Sequence, residues 1–247
     1  GRIKSSFLQL EEWFEDRRLF HMVGYLVHQS VGINSIRQLA QGTTKSGFEL
    51  TLRREIFKRV TGYELSVPVL EAVVRERLLT HMDGLSYGRK VSHVRIRAWL
   101  LLFNLATLLQ DGRSNLRFQF DSFKTQCWGI EHIRSVSDDR PGRPDTQKTW
   151  LEHCLRFLAA QGTANALCKE IDIYLADQAV SKTPEVFDGL YDRVLEFFAE
   201  AKEWEEEHGL GNLTLLDDHT NRSYGNAVFA LKRQRLLSLD QAGIFVP

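Results

Sequence analysis

The stretch Gly211-Asn212-Leu213-Thr214-Leu215-Leu216-Asp217-Asp218-His219-Thr220-Asn221-Arg222-Ser223-Tyr224-Gly225-Asn226 reads as a short strand, a turn and the start of a helix. Asn212 and Asn221 flank the turn, and Asn226 follows inside the helix. Far upstream, Gln126 to Ile133 reads as an apolar strand whose last residues include Glu131 and His132. These two stretches are expected to meet and form one site. The rest of the chain would be the frame that brings them together.

Around them the periodicity is mostly helical. Ser5 to Val31 carries apolar faces broken at Glu15-Asp16-Arg17-Arg18, which suggests two helices or one bent helix. Further helices are expected over Ile33–Ala40, Phe48–Val60 and Pro68–Asp83, with Thr61-Gly62 ending the second of these. Ser92–Leu109 is the most apolar and serves as a central strut. Near-alternation of Leu116, Phe118, Phe120 and Phe123 with polar residues reads as a strand. Helices return over Thr146–Gln161, Ala164–Ala176 and Pro184–Glu207. Gly209–Leu216 is a strand, and Ser223–Leu237 is a final helix carrying Lys232, Arg233 and Arg235.

Composition narrows the class. At 247 residues the chain suffices for one large domain or two small ones. The formal net charge is zero, so nucleic-acid contact would have to come from a local patch. The longest apolar run, Ala98 to Leu109, is interrupted by Asn104 and falls short of a membrane span. Three cysteines, Cys127, Cys154 and Cys168, form no CxxC pair, which suits a reducing, cytoplasmic setting. The most apposite basic cluster is Arg140, Arg143 and Lys148, because it follows the Glu131-His132 strand directly.

The residue types suit phosphodiester hydrolysis. That chemistry needs an activated water, neutralised phosphate charge and help for the leaving oxygen. His132 is a candidate base at near-neutral pH, or simply a capped histidine at a strand end. Glu131, Asn221 and Asn226 offer oxygens that suit magnesium or manganese. Glu131 could instead pair with an arginine such as Arg134, and Asn221 could be a helix N-cap. Asn212 suits a brace across the turn. Lys232 and Arg222 are phosphate contacts or a solvated face. His219 reads as an exposed turn residue. His21, His28, His81, His93, His153 and His208 read as structural members of helices.

Trp128-Gly129-Ile130-Glu131-His132-Ile133, then Gly211-Asn212-Leu213-Thr214-Leu215-Leu216, then Asn221, Asn226, Phe229 and Lys232, resemble the C-terminal HNH nuclease domain of GmrSD-type and SspE-type bacterial defence proteins. Trp13-Phe14, Phe20 to Leu26 and Arg117 to Asp121 are similar to that family's helical region, so the resemblance covers nearly the whole chain. It implies a mainly α protein: an all-helical scaffold over 1–112, and over 113–247 a ββα-metal core with a helical insertion at about 146–208. It implies His132 as general base, Glu131 and Asn221 as ligands of a Mg2+ or Mn2+ ion, Asn212 as the bracing asparagine and Lys232 facing the phosphate. Arg134, Arg140, Arg143, Lys148, Arg222 and Arg233 become expected contacts to double-stranded, phage-derived DNA. The family also pairs this domain with an N-terminal nucleotide-handling sensor, so the chain is expected to be a fragment of a longer protein. The alternative is a degenerate module that binds DNA or a partner protein, since Gly129 stands where the family often has an acid.

Overall fold

The computed structural model describes residues 2–65, 71–126, 128–133, 140–161, 165–176, 184–197, 208–217 and 229–243. The protein is mainly helical, with one small two-stranded antiparallel sheet. It divides into two compact units between Ile130 and Glu131.

The first unit holds α1 (Arg2–Glu15), α2 (Arg17–His28), α3 (Ile33–Ala40), α4 (Lys45–Thr61), α5 (Glu71–Asp83), α6 (His93–Gln110) and α7 (Phe120–Thr125). The break between α1 and α2 has a chemical cause. Asp16 is extended and its carboxylate accepts the backbone N–H of Arg18 and Leu19, so it caps α2. Lys45 pairs with the same carboxylate at 2.7 Å. Thr44 caps α4, and Gly62, at φ 78°, closes it in the left-handed conformation that glycine adopts without strain.

The core is apolar side chains from α2, α3, α4 and α6, with Tyr25, Leu26, Ile36, Leu52, Ile96 and Leu101 out of reach of solvent. Trp13 of α1 stacks on Phe48 of α4 at 5.2 Å. Tyr25 donates its hydroxyl to the Ala98 carbonyl at 3.2 Å, and burial pushes its pKa above the usual phenol value.

The strand expected around 116–123 does not form. Phe120–Thr125 is α7 instead, preceded by irregular chain. The backbone groups that a sheet partner would have taken are taken by side chains. Arg17 donates to the carbonyls of Leu108, Asp111 and Leu116, which also satisfies the end of α6. His21 accepts the Phe118 N–H at Nε2, and Arg117 donates to the Glu15 carbonyl at the end of α1. The alternation of aromatics reflects packing rather than pleating. Phe118 and Phe123 are buried, and Phe120 lies so close to α2 that a Cβ on Gly24 would stand 2.2 Å from its ring. Trp128, also buried, stacks on Phe123 at 6.1 Å.

The second unit contains α8 (Pro144–Gln161), α9 (Asn165–Ala176), α10 (Pro184–Phe197), strand β2 (Leu213–Asp217) and α11 (Phe229–Gln241). The expected continuation of α10 to Glu207 and the start of the last helix at Ser223 lie outside the described residues. The division between units falls inside β1 (Trp128–His132), whose last two residues belong here. Trp150, Leu151, Cys154 and Leu158 of α8 pack with Ile171 of α9 and with Phe187, Leu190, Tyr191 and Val194 of α10. These helices form the insertion between the two strands, and α11 packs against α8. Leu213, Leu215 and Leu216 anchor β2 in the unit. No helix among the described residues is long and apolar enough to cross a membrane.

Candidate nuclease site

Strand β1 ends at His132, and Ile133 lies in a bend. That ending matters. On a regular strand Glu131 and His132 would point to opposite faces. Here both line one pocket of about 440 Å³, together with Thr214 and Leu216 of β2 and Lys232 and Arg233 of α11.

The best-defined polar contact in the pocket joins strand to helix. Lys232 Nζ donates to Glu131 Oε1 at 3.1 Å, with the lysine side chain 9% and the glutamate 22% exposed. Glu131 thus has an ion-pair partner, and it is this lysine. Removing one member of such a shielded pair leaves the other charge poorly solvated, at a cost of roughly 3–5 kcal/mol. A carboxylate retains further lone pairs beyond the one used here.

The turn before β2 fixes the register of the pocket. Asn212 donates its N–H to the Gly209 carbonyl at 3.0 Å and accepts the Ile133 N–H on its own carbonyl at 2.8 Å. The Asn212 backbone thus ties the entry of β2 to the end of β1. The same turn brings His208 to His132, Nδ1 to Nε2 at 3.4 Å. In the structure His208 stands in a turn, whereas the sequence pattern places it in a helix. The signal against that lay in Gly209 and Gly211, which break helical periodicity immediately after it.

The basic residues separate into two kinds. Arg140 is tied to Asp188 at 3.1 Å and Asp192 at 2.6 Å, and its guanidinium lies over the Tyr191 ring at 5.1 Å. It links the segment before α8 to α10. Arg143 pairs with Asp145, and Lys148 stands 3.8 Å from Glu152, in exposed contacts that a phosphate can displace. Arg233 is exposed at the pocket. Arg134, Asn221, Arg222 and Asn226, together with His219, lie outside the described residues.

Residues 192–242 match the family of GmrSD restriction endonucleases, C-terminal domain. The GmrSD match runs from the end of α10 through β2 to the end of α11 and contains Asn212, Asn221, Asn226 and Lys232. It supports the resemblance seen in the sequence and points to a nuclease role of the restriction-endonuclease type. Glu131 and His132 precede the GmrSD-matched segment; the Lys232 ion pair and the Asn212 carbonyl join the end of β1 to it. No curated protein and no solved structure matches the chain.

Proposed function

We propose that the second unit is a metal-dependent HNH-type DNA endonuclease, built as a ββα-metal core from β1, β2 and the last helix. The observation that carries this reading is the convergence of Glu131 and His132 with Lys232 of the GmrSD-matched segment on one pocket. His132 is the general base that takes a proton from the attacking water. Lys232 holds Glu131 and puts a positive charge where a phosphate would sit. Arg143, Lys148 and Arg233, with Arg134 and Arg222, guide the DNA backbone.

Among the described residues no group of three or more His, Cys, Asp or Glu could hold a metal ion. A single carboxylate still fits magnesium or manganese, which keep several waters and take remaining ligands from substrate phosphates. Glu131 would hold the ion, with Asn221 and Asn226 as further oxygen donors. When bound, the ion would neutralise charge on the scissile phosphate and the leaving oxygen. The biological reading is nicking or cutting of foreign, phage-derived DNA in the cytoplasm, as the effector of a defence protein whose sensor domain handles nucleotides.

The test is nicking of supercoiled plasmid in magnesium or manganese. His132→Ala should abolish it while the circular dichroism spectrum stays unchanged. Undiminished cleavage removes the assignment.

One observation favours a second reading, a degenerate module that binds DNA or a partner protein. Lys232 already neutralises Glu131, and Gly129 supplies no second acid. Calorimetric titration with manganese separates the two. The nuclease shows a site lost in Glu131→Gln, and the degenerate module shows none.

A further inference from the structure

Helix α5 stands apart in its unit. None of its residues is buried, whereas α1–α4, α6 and α7 each bury at least one apolar side chain. A helix packed on a core presents an apolar stripe at spacings of three and four residues. At those spacings α5 carries Val73, Glu76, Arg77, Thr80 and His81 instead, and Gly84 continues the row. These residues line a pocket of about 480 Å³ rather than a packed seam. Tyr63, Leu85 and Arg95, the last from the first turn of α6, also line it.

The charge in this pocket is unbalanced. Arg77 and Arg95 outnumber the single carboxylate of Glu76, and among the described residues neither arginine has an ion-pair partner. Three basic residues of α4 differ: Arg53 pairs with Glu49, Lys58 with Glu64 and Arg59 with Glu55.

Neighbouring rings set what the pocket can donate. The Arg77 guanidinium lies over Tyr63, 4.9 Å from the ring centroid. Stacking of that kind occupies the face of the guanidinium and leaves its N–H edges to oxygen acceptors. Trp99 donates its indole N–H to His81 Nδ1 at 3.1 Å, and the two rings stack at 5.9 Å. An indole nitrogen only donates, so Nδ1 is the acceptor and the proton of the neutral His81 ring sits on Nε2. Burial, with the charge of Arg95, pushes the His81 pKa below 6.5, which keeps the ring neutral at pH 7. What His81 offers a ligand is therefore an N–H.

Two guanidinium groups and an imidazole N–H are a donor set for a tetrahedral oxyanion, and arginine matches phosphate oxygens two at a time. We propose that the pocket binds a free phosphate monoester, with Arg77, Arg95 and His81 on the phosphate and Tyr63, Val73 and Leu85 against its organic body. The volume is that of a small-molecule site and exceeds what a bare phosphate fills. A nucleic-acid backbone would instead need a run of cations along a groove. Every residue involved belongs to the helical unit, so the proposal does not depend on the nuclease reading.

The test is a titration of the full chain with phenyl phosphate. Calorimetry gives the affinity, and the 15N–1H signal of the Trp99 indole, assigned with Trp99→Phe, gives the place. Phenyl phosphate should bind and move that signal, inorganic phosphate should bind more weakly, and benzyl alcohol should not bind. Arg77→Ala and Arg95→Ala should each weaken binding by roughly tenfold or more, while Arg53→Ala leaves it unchanged. Both pocket arginines are exposed, so their loss should leave the fold intact, and the remaining tryptophan signals of each variant check this. Absence of binding overturns the proposal, as does heat without a Trp99 shift or an affinity that both arginine variants retain. A short DNA duplex that moves the Trp99 signal where phenyl phosphate does not also overturns it, because the phosphate recognised would then be that of a backbone.

Discussion

The polar side chains of α2 and those at the pocket of the second unit are used differently. In the helical unit, Arg17, His21 and Tyr25 reach across to backbone: three carbonyls near the end of α6, the Phe118 N–H and the Ala98 carbonyl. At the pocket of the second unit, Lys232 reaches a carboxylate and His208 reaches an imidazole. A side chain bonded to backbone ties one stretch of main chain to another, so it holds the fold. A side chain bonded to another side chain beside an open pocket can exchange that partner for a ligand. The difference separates residues that shape the protein from residues able to act.

Replacing Lys232 tests this most severely. Lys232→Met should lower stability by roughly 3–5 kcal/mol by leaving Glu131 shielded and unpaired, and adding Glu131→Gln should restore much of it. Urea denaturation of the single and double variants measures both. If the single variant is as stable as the parent, the ion pair is not the shielded contact described.

Gly24→Ala is the matching change in the helical unit. Its Cβ meets Phe120, a ring already packed against Phe20 and Phe118, so a loss of about 1–3 kcal/mol is expected. The same denaturation curves report it, and plasmid nicking should be retained wherever the variant is folded.

Arg140 and Arg143 lie three residues apart and should respond in opposite ways. Arg140→Ala should cost about 1–2 kcal/mol through loss of two ion pairs and the Tyr191 contact. Arg143→Ala should leave stability unchanged and weaken DNA binding, flattening its salt dependence by about 0.9 in slope. Filter binding at several salt concentrations reads the second effect.

The smallest effect is in pH. Burial pushes the His21 pKa below 6.5, with help from the charges of Arg17 and Arg117 and against the bond to the Arg17 carbonyl. The folded pKa is the lower one, so the unfolded chain binds the proton first. The stabilising contribution is complete above 6.5 and is lost as pH falls from there toward the folded value. His28 and His81 shift the same way, chiefly through burial. The thermal midpoint should therefore fall between about pH 7.5 and about pH 5.5. A flat profile would mean that the folded and unfolded chains take up these protons equally.

Much of this was legible in the sequence. Helices α1 to α6 lie where the sequence leads one to expect helices, and the Asp16 break and the Gly62 stop are local signals with local causes. Strand β1 and the turn into β2 were readable because short β-rich runs there are bounded by glycine and polar residues. The failure at Phe118 and Phe120 is instructive. Alternation reports which side chains are buried, and a loop wrapped against a helix can alternate as well as a strand does. What decided it was the destination of the backbone groups, supplied by Arg17 and His21 about 100 positions away. Glu131 and His132 stand out in the sequence by residue type and by the resemblance. Their actual neighbours, Lys232 and His208, depend on tertiary placement that spacing does not encode. In the sequence Arg140 reads as a DNA contact alongside Arg143 and Lys148, whereas its pairs with two aspartates of α10 depend on tertiary placement.

The hydrogen bond between Ile133 and Asn212 closes a loop of about 80 residues, most of it the α8–α10 helical insertion. Loop-closure entropy grows only with the logarithm of length, and doubling a flexible loop costs about 0.6 kcal/mol more. Once the insertion folds upon itself around Trp150 and Phe187, even that cost shrinks, because the ends are held by a packed body. The strand junction is therefore tolerant of what is spliced between its halves. Such a junction lets a lineage lengthen, shorten or exchange the intervening helices while the chemistry at the strand ends stays in place.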